Sequence, residues 1–340
     1  MAGIIGYGVY VPRYRVKQSD IAVPWGGFGM GEKAVCGWDE DIISMAAEAG
    51  SNALKHAGIE SAQIGAIYLA TASSPYIEQY VAPILAEALE LEPRTSMVDF
   101  CGSVNAMGAA LLACLDAIEA KRIKCGLVIG TENRRVGPGT EGEQNLGASA
   151  VALVVGSEGT IADFDGLGNY STLFYDRWES VKDGWVSNYF DYRFAREFGY
   201  QKHVSEACKD AMEGAGAKGS DYAKVVLQQP DGRLPALVAK QVGAKPDQLL
   251  PDMSAGLGDL GCCSAFVGLA GVLDQAKASD RILVASYASG TSNAFSLKVS
   301  GAIDQKRDRA VPLLKYVNRK EYVDYPTYLR MSGNLVRAPY

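Results

Sequence analysis

The sequence predicts an α/β fold in which one arrangement of strands and helices is made twice, giving a layered α/β/α/β/α sandwich of mainly parallel sheets. Short apolar runs typical of buried strands alternate with helical periodicity through almost the whole chain. The order of parts in the first half returns in the second with different residues. At 340 residues the chain is long enough to bury two such halves, residues 1–165 and 166–340.

From the N-terminus, IIGYGVYVP reads as a strand, and DEDIISMAAEAGSNALKHAG as an amphipathic helix closed by Gly58. IGAIYLATASS, residues 64–74, has the unbroken apolar run of a strand covered on both faces. A helix through YVAPILAEALEL, the strand TSMVDF, the small-residue-rich helix CGSVNAMGAALLACLDAIEA and the strand KCGLVIGTE follow. The second half begins with TIADFDG and the helix KHVSEACKDAMEGAG. YAKVVLQQPDG then matches the strand at 64–74, LPALVAKQVG the next helix, CCSAFVGLAGVLDQAK the long helix after Cys101, and RILVASYASG the strand KCGLVIGTE. Between the halves, residues 168–200 are dense in Tyr, Phe and Trp and irregular in pattern. Such an insertion either docks its rings on the core or a second subunit, or walls a substrate pocket.

Composition removes several function classes. The net charge of −6, without a basic cluster carrying interleaved aromatics, gives no reason to expect nucleic-acid binding. No run is long enough to span a bilayer, and MAGIIGYGVYVPRYR does not read as a signal peptide. Seven cysteines, without CxxC pairs or a metal-like Cys/His spacing, predict reduced thiols in the cytoplasm and no metal site. A small-molecule substrate is the expectation that remains.

Cys101 follows TSMVDF directly and heads the helix GSVNAMGAALLACLDAIEA. A thiol at a helix N-terminus meets unpaired N–H groups and the helix dipole, which lower its pKa from about 8.5 and raise the thiolate fraction. Gly102, Ala106, Gly108 and Ala109 leave room for close backbone approach. The competing reading is a small buried apolar residue, which also suits Cys114 and Cys125.

Five segments carry a resemblance, in order: GMGEKAVCGWDEDIISMAAEA at 29–49, SSPYIEQYVAPILAEAL at 73–89, GYQKHV at 199–204, SDRILVASYASGTSNAFSLKV at 279–299, and the tail NRKEYVDYPTYLRMSGNLVR. Over nearly its whole length the chain resembles the archaeal-type 3-hydroxy-3-methylglutaryl-CoA synthases and, more distantly, the ketoacyl synthase III enzymes, both of the thiolase superfamily. The resemblance implies the thiolase fold, a homodimer, acylation of Cys101, acyl-CoA substrates, and coenzyme A as substrate or product with no tightly bound cofactor. It also implies a small zinc-ribbon/OB-fold partner subunit, with which superfamily members of this kind are often found.

The departures from the family pattern fall on its acid/base groups. Where the synthases have a glutamate before Ser-His-Pro-Tyr, this chain has Ala72 in ATASSPY; where they have the histidine of His-Gln-Pro-Asn, it has Gln228 in LQQPD. Their asparagine in a Gly-Asn-Thr segment falls on Asp259 in GDLGCCS. Gln228 still offers an N–H donor for a thioester oxyanion. His203, Asp259, Cys262 and Cys263 are the candidates for a replacement base, each with a structural alternative: a helix-start residue, a turn residue, or a buried thiol. For the phosphates of coenzyme A the chain offers Arg134, Arg135, Lys202 and Arg233, each of which also reads as a solvated surface charge.

Thiolytic cleavage of a β-ketoacyl-CoA, with a bulky or aromatic acyl group suggested by 168–200, needs only Cys101 and a modest base, and is the expected activity. The alternatives are a condensing enzyme of the synthase or ketoacyl synthase III type with unusual acid/base residues, and a non-catalytic thiolase-fold subunit of a hetero-oligomer.

Overall fold

The computed structural model describes residues 2–335 apart from 181, 183, 189, 190 and 310, so residues 336 and 337 of the family-like tail lie outside the described residues. Nine strands share one hydrogen-bonded sheet: β1 (Gly3–Tyr10), β2 (Ala66–Thr71), β3 (Ser96–Cys101), β4 (Cys125–Glu132), β5 (Ser149–Gly156), β6 (Ala162–Ser171), β7 (Lys224–Leu227), β8 (Arg281–Ala288) and β9 (Thr291–Val299). They lie in the order β7-β8-β9-β6-β1-β5-β4-β2-β3. At the middle, β1 meets β6 through only the pairs Gly3–Asp163 and Ile4–Ala162. That corner separates a first half-sheet, β1 to β5, from a second, β6 to β9.

Six helices cover these halves: α1 (Ile42–Ala57), α2 (Ala82–Ala88), α3 (Ala106–Glu119), α4 (Lys202–Gly214), α5 (Leu234–Gln241) and α6 (Ser264–Leu273). Alternating strand side chains explain the layering. Ile67, Leu69, Leu127 and Ile129 bury against Met45, Ala49 and Leu85 of α1 and α2 on one outer face. Their strand neighbours Ala66, Tyr68 and Val128 turn inward to Leu111 of α3 and Phe266 of α6, which also touch Val284, Phe295 and Leu297 of the second half-sheet. Val225, Leu283 and Ala285 face outward again, against Val204, Cys208 and Val238 of α4 and α5. The five layers expected from the sequence are these.

Parallel pairing is found where a crossover helix joins the strands, in β2–β3, β2–β4 and β7–β8. Each half ends in a pair the sequence reading left out: β5 returns antiparallel to β4, and β9 returns antiparallel to β8 through a tight turn at Gly290, whose φ is +80°. The centre of the sheet is therefore antiparallel, with parallel strands toward both edges. In the second half the counterpart of β3 shrinks to a single parallel bridge between Leu249 and Val225, because Pro251 cannot donate to a ladder.

Local chemistry places the helices. Asp41 caps α1 by accepting the N–H groups of Ile43 and Ser44, and the Ser44 hydroxyl accepts the Asp41 N–H in return. Gly58, at φ +70°, ends it. Gly108 lets α3 approach the second half-sheet, since a Cβ there would stand 2.5 Å from the Ser286 hydroxyl oxygen.

The segment 168–200 begins as the end of β6, makes a short antiparallel ribbon of Arg177–Glu179 and Val186–Asn188, and winds through a wide-turn helix, Ala195–Gln201, into α4. Phe174 stacks on Phe194, and Phe194 packs at a tilt against Phe198, with centroids 5.6 and 5.0 Å apart. Leu173, Tyr175, Trp178 and Trp185 remain exposed. Among the described residues no helix is long and apolar enough to cross a membrane.

Candidate active site

The crevice of interest lies at the C-terminal ends of the parallel strands, where open α/β sheets place their ligands. Cys101 ends β3, beside Thr71 at the end of β2; Glu132 ends β4, and Gln228 follows β7. All seven cysteines are free, and Cys101 is the exposed one; Cys36 is half-buried and the other five are buried.

The expected helix-terminal position of Cys101 needs correction. Gly102, at φ +78°, and three further residues separate it from the first residue of α3, so its sulfur is outside the first turn, where the dipole acts. Instead of being lowered, its thiol pKa is raised, by partial burial and by the Asp99 carboxylate; the Ser74 hydroxyl offsets this in part, and Glu132 adds to it. Cys101 therefore rests as a thiol at neutral pH. We expect its alkylation by iodoacetamide, followed by peptide mass mapping, to accelerate still as the pH passes about 9, above the ordinary thiol range. A rate already level at pH 7 would restore the lowered-pKa reading.

Asp99 is anchored elsewhere: its two oxygens accept the N–H groups of Val81 and Ala82, at 2.6 and 2.9 Å, at the start of α2. The loop after Cys101 is tied across the halves by Asn105, whose amide donates to Asn293 Oδ1 at 2.7 Å and accepts from the Ser286 hydroxyl at 2.6 Å.

Sequence reasoning missed Glu132. This residue is fully buried, yet its carboxylate bends over the end of β2. Oε1 accepts the Ala72 N–H at 2.9 Å and, more weakly, the Cys262 N–H at 3.4 Å; Oε2 accepts the Ser73 hydroxyl at 2.5 Å. The signal was available in KCGLVIGTE, a wholly buried strand closing on an acid, which the interior tolerates only when the charge is hydrogen-bonded or used.

Gln228 faces the central layer, on the same side of its strand as Val226. Its Oε1 accepts the Tyr287 N–H at 2.8 Å, which fixes the amide and leaves Nε2 without a protein partner among the described residues. The other candidate bases are occupied. His203 lies on the outer face among Tyr170, Phe174 and Tyr287. Its Nδ1 donates to the Gly199 carbonyl at 2.7 Å and its Nε2 accepts from the Thr172 hydroxyl at 2.8 Å, so it supports α4 and does not enter the crevice.

Asp259 is a buried ion-pair hub. Its Oδ1 lies 3.1 Å from Arg134 Nη2 and its Oδ2 2.5 Å from Arg177 Nη1, and Oδ1 also accepts the Gly261 N–H. Burial alone would raise its pKa, but the two guanidiniums and that N–H more than offset it and hold the carboxyl below its usual range. A base that weak takes no proton from carbon. Cys262 is buried, donates to the Ala70 carbonyl at 3.4 Å, and has its pKa pushed well up by burial, by Cys263 and by Glu132. Cys263 is equally buried and donates to the Ser149 carbonyl at 3.5 Å. Of the cationic candidates, Arg134 is buried against Asp259 and is unavailable to a phosphate, whereas Arg135, Lys202 and Arg233 are exposed.

No family model matches the chain. Curated relatives are long and even in coverage. A hydroxymethylglutaryl-CoA synthase of Methanocaldococcus jannaschii is 36% identical over 98% of this chain and 99% of its own, and one of Pyrococcus furiosus is 37% identical over 96% and 95%. The chain belongs to the hydroxymethylglutaryl-CoA synthase family. Solved structures agree on the fold: MvaS in complex with 3-hydroxy-3-methylglutaryl coenzyme A matches with a TM-score of 0.86 at 22% identity, covering 97% of this chain and 91% of that one. The 3-oxoacyl-[acyl-carrier-protein] synthase III of Aquifex aeolicus matches at 0.79 and 21% identity, over 88% and 100%.

Membership in the synthase family makes this a thiolase-fold acyltransferase and sharpens the meaning of its departures. Position 72 lacks the carboxylate side chain that the resemblance assigns to the synthases, but its backbone N–H holds the carboxylate of Glu132. Position 228 lacks the imidazole that the resemblance assigns there and carries the Gln228 amide, held in one orientation.

Proposed function

We propose that this synthase-family chain joins two acyl groups by carbon–carbon bond formation, taking the first from an acyl-CoA onto Cys101. One observation carries the reading: the exposed thiol among seven ends its strand beside Thr71, next to the N–H of Ala72 that holds the buried carboxylate of Glu132, and an oriented amide, Gln228, follows the corresponding strand of the second half-sheet. Cys101 Sγ attacks the thioester carbonyl, coenzyme A leaves as its thiol with the proton lost from sulfur, and Gln228 Nε2 donates to the oxyanion on the way. The relatives' name favours acetyl and acetoacetyl groups and a 3-hydroxy-3-methylglutaryl-CoA product. The case for thiolytic cleavage rests on the want of an acid/base group, which Glu132 would supply, and nothing in the relatives supports cleavage of an aromatic substrate.

The proposal includes a homodimer, supported by the position of β3 at the sheet edge with its residues half-exposed. It includes a zinc-ribbon/OB-fold partner, for which the exposed Trp25, Phe28 and Met30 offer a surface. It also places the protein in the cytoplasm, in keeping with seven free thiols. Intact mass after incubation with acetyl-CoA, with and without acetoacetyl-CoA, tests the catalytic reading. An acetyl adduct that disappears when acetoacetyl-CoA is added, with a 3-hydroxy-3-methylglutaryl product, is expected. No adduct, alone or with the partner, favours a non-catalytic subunit.

A further inference from the structure

We propose that Glu132 is the acid/base of the condensation, reaching from β4 to the place that the family fills from position 72. The inference rests on the condensing reading above and adds the residue that moves the protons.

Three features support it. The carboxylate is bonded to the N–H of Ala72 itself and to the Ser73 hydroxyl, so a group moved to a neighbouring strand returns to the same end of the crevice. It is close enough to Cys101 for its charge to raise that thiol's pKa. The site is also shaped around it. Gly261 adopts φ +57°, and a Cβ there would stand 2.9 Å from Glu132 Cγ. That same point lies 3.1 Å from Arg134 Nε, which together with Nη1 has no hydrogen-bond partner among the described residues. Arg134 is paired with Asp259 through Nη2, so Nε and Nη1 stand beside the Glu132 carboxylate without bonding to it, and the hydrogen bonds present leave part of its acceptor capacity free.

The other acids and bases are engaged elsewhere: Asp99 in capping α2, Asp259 between two arginines, His203 on the outer face. With acetyl on Cys101, the Glu132 carboxylate takes a proton from the methyl carbon. The C–H electron pair becomes the enolate, whose oxyanion Gln228 Nε2 holds. The enolate carbon bonds to the ketone carbon of the acceptor acyl-CoA, and the ketone oxygen, now an alkoxide, takes the proton back from Glu132. Water then hydrolyses the Cys101 thioester: its oxygen bonds to the acyl carbon as the C–S bond breaks, one of its protons returns to sulfur and the other leaves to solvent with formation of the carboxylate, so no redox partner or further proton source is needed.

The experiment compares the full-length wild type, Glu132→Gln, and Glu132→Gln combined with Ala72→Glu. Acetylation of Cys101 is read by mass, and loss of deuterium from methyl-deuterated acetyl-CoA into water is read without any acceptor. We expect Glu132→Gln to acetylate within roughly threefold of wild type while exchange and condensation fall by roughly 10²- to 10⁴-fold. Restoring a carboxylate at position 72 should recover at least about tenfold of that loss. Should the glutamine variant fail to fold, Glu132→Asp must show the same split between kept acetylation and lost exchange. Exchange within threefold of wild type in an acetylated Glu132→Gln enzyme overturns the role of Glu132 alone. Absence of acetylation in wild type overturns the underlying reading and the inference with it.

Discussion

Replacing Cys101 by alanine is expected to lower the rate of carbon–carbon bond formation by roughly 10⁴- to 10⁶-fold and to abolish the acyl adduct, because loss of a nucleophile removes the covalent intermediate itself. No other thiol can substitute. Cys262 and Cys263 lie behind the crevice, bonded to the carbonyls of Ala70 and Ser149, and Cys114, Cys125 and Cys208 are core residues. Serine at position 101 should fare little better, since the site lowers no nucleophile's pKa: partial burial, with the charges of Asp99 and Glu132, already raises that of the more acidic thiol. Because the thiol is exposed, the alanine variant should unfold in urea within about 0.5 kcal/mol of wild type, separating lost chemistry from lost structure. A variant retaining a tenth of the activity would exclude an acyl-cysteine route.

The fold was legible because periodicity reports which faces are buried. The strand within 64–74 and the helix closed by Gly58 stand where their patterns put them, and the long small-residue helix follows Cys101 but begins only at Ala106. The strands β5 and β9 were less visible, since each returns antiparallel to the strand before it, and apolar runs do not say which of them pair. The sequence singles out Cys101 and Gln228, which the proposed site uses, together with Asp259 and His203, which the structure engages in ion pairs and hydrogen bonds. Their hydrogen-bond partners, Arg177 and Thr172, belong to the irregular segment between the halves, whose path no local pattern specifies. Glu132 was missed for the converse reason: its meaning depends on reaching across to β2, a contact between residues 60 apart in sequence.

Asp259 makes the largest stability prediction. Arg134 and Asp259 both have side chains only 2% exposed, and Arg177 reaches in from the aromatic segment to complete the group. Removing one partner of a buried pair leaves the other charge desolvated and unpaired, at a typical cost of about 3–5 kcal/mol. Asp259→Asn keeps the shape and matches the residue that the resemblance assigns to the synthases, yet it should be destabilising here, because two guanidiniums have come to depend on the charge. We expect the urea midpoint to fall with little change in slope, and Asp259→Asn combined with Arg134→Met to recover much of the loss. The linkage has a definite sign: a carboxyl held below its unfolded pKa stabilises the fold above that pKa and loses its contribution as the pH falls through the folded value. The wild type should therefore forfeit its advantage over Asp259→Asn in acid, below about pH 4. An asparagine variant as stable as wild type at neutral pH would show that the arginines, and with them the tie between the aromatic segment and the crevice, do not need Asp259.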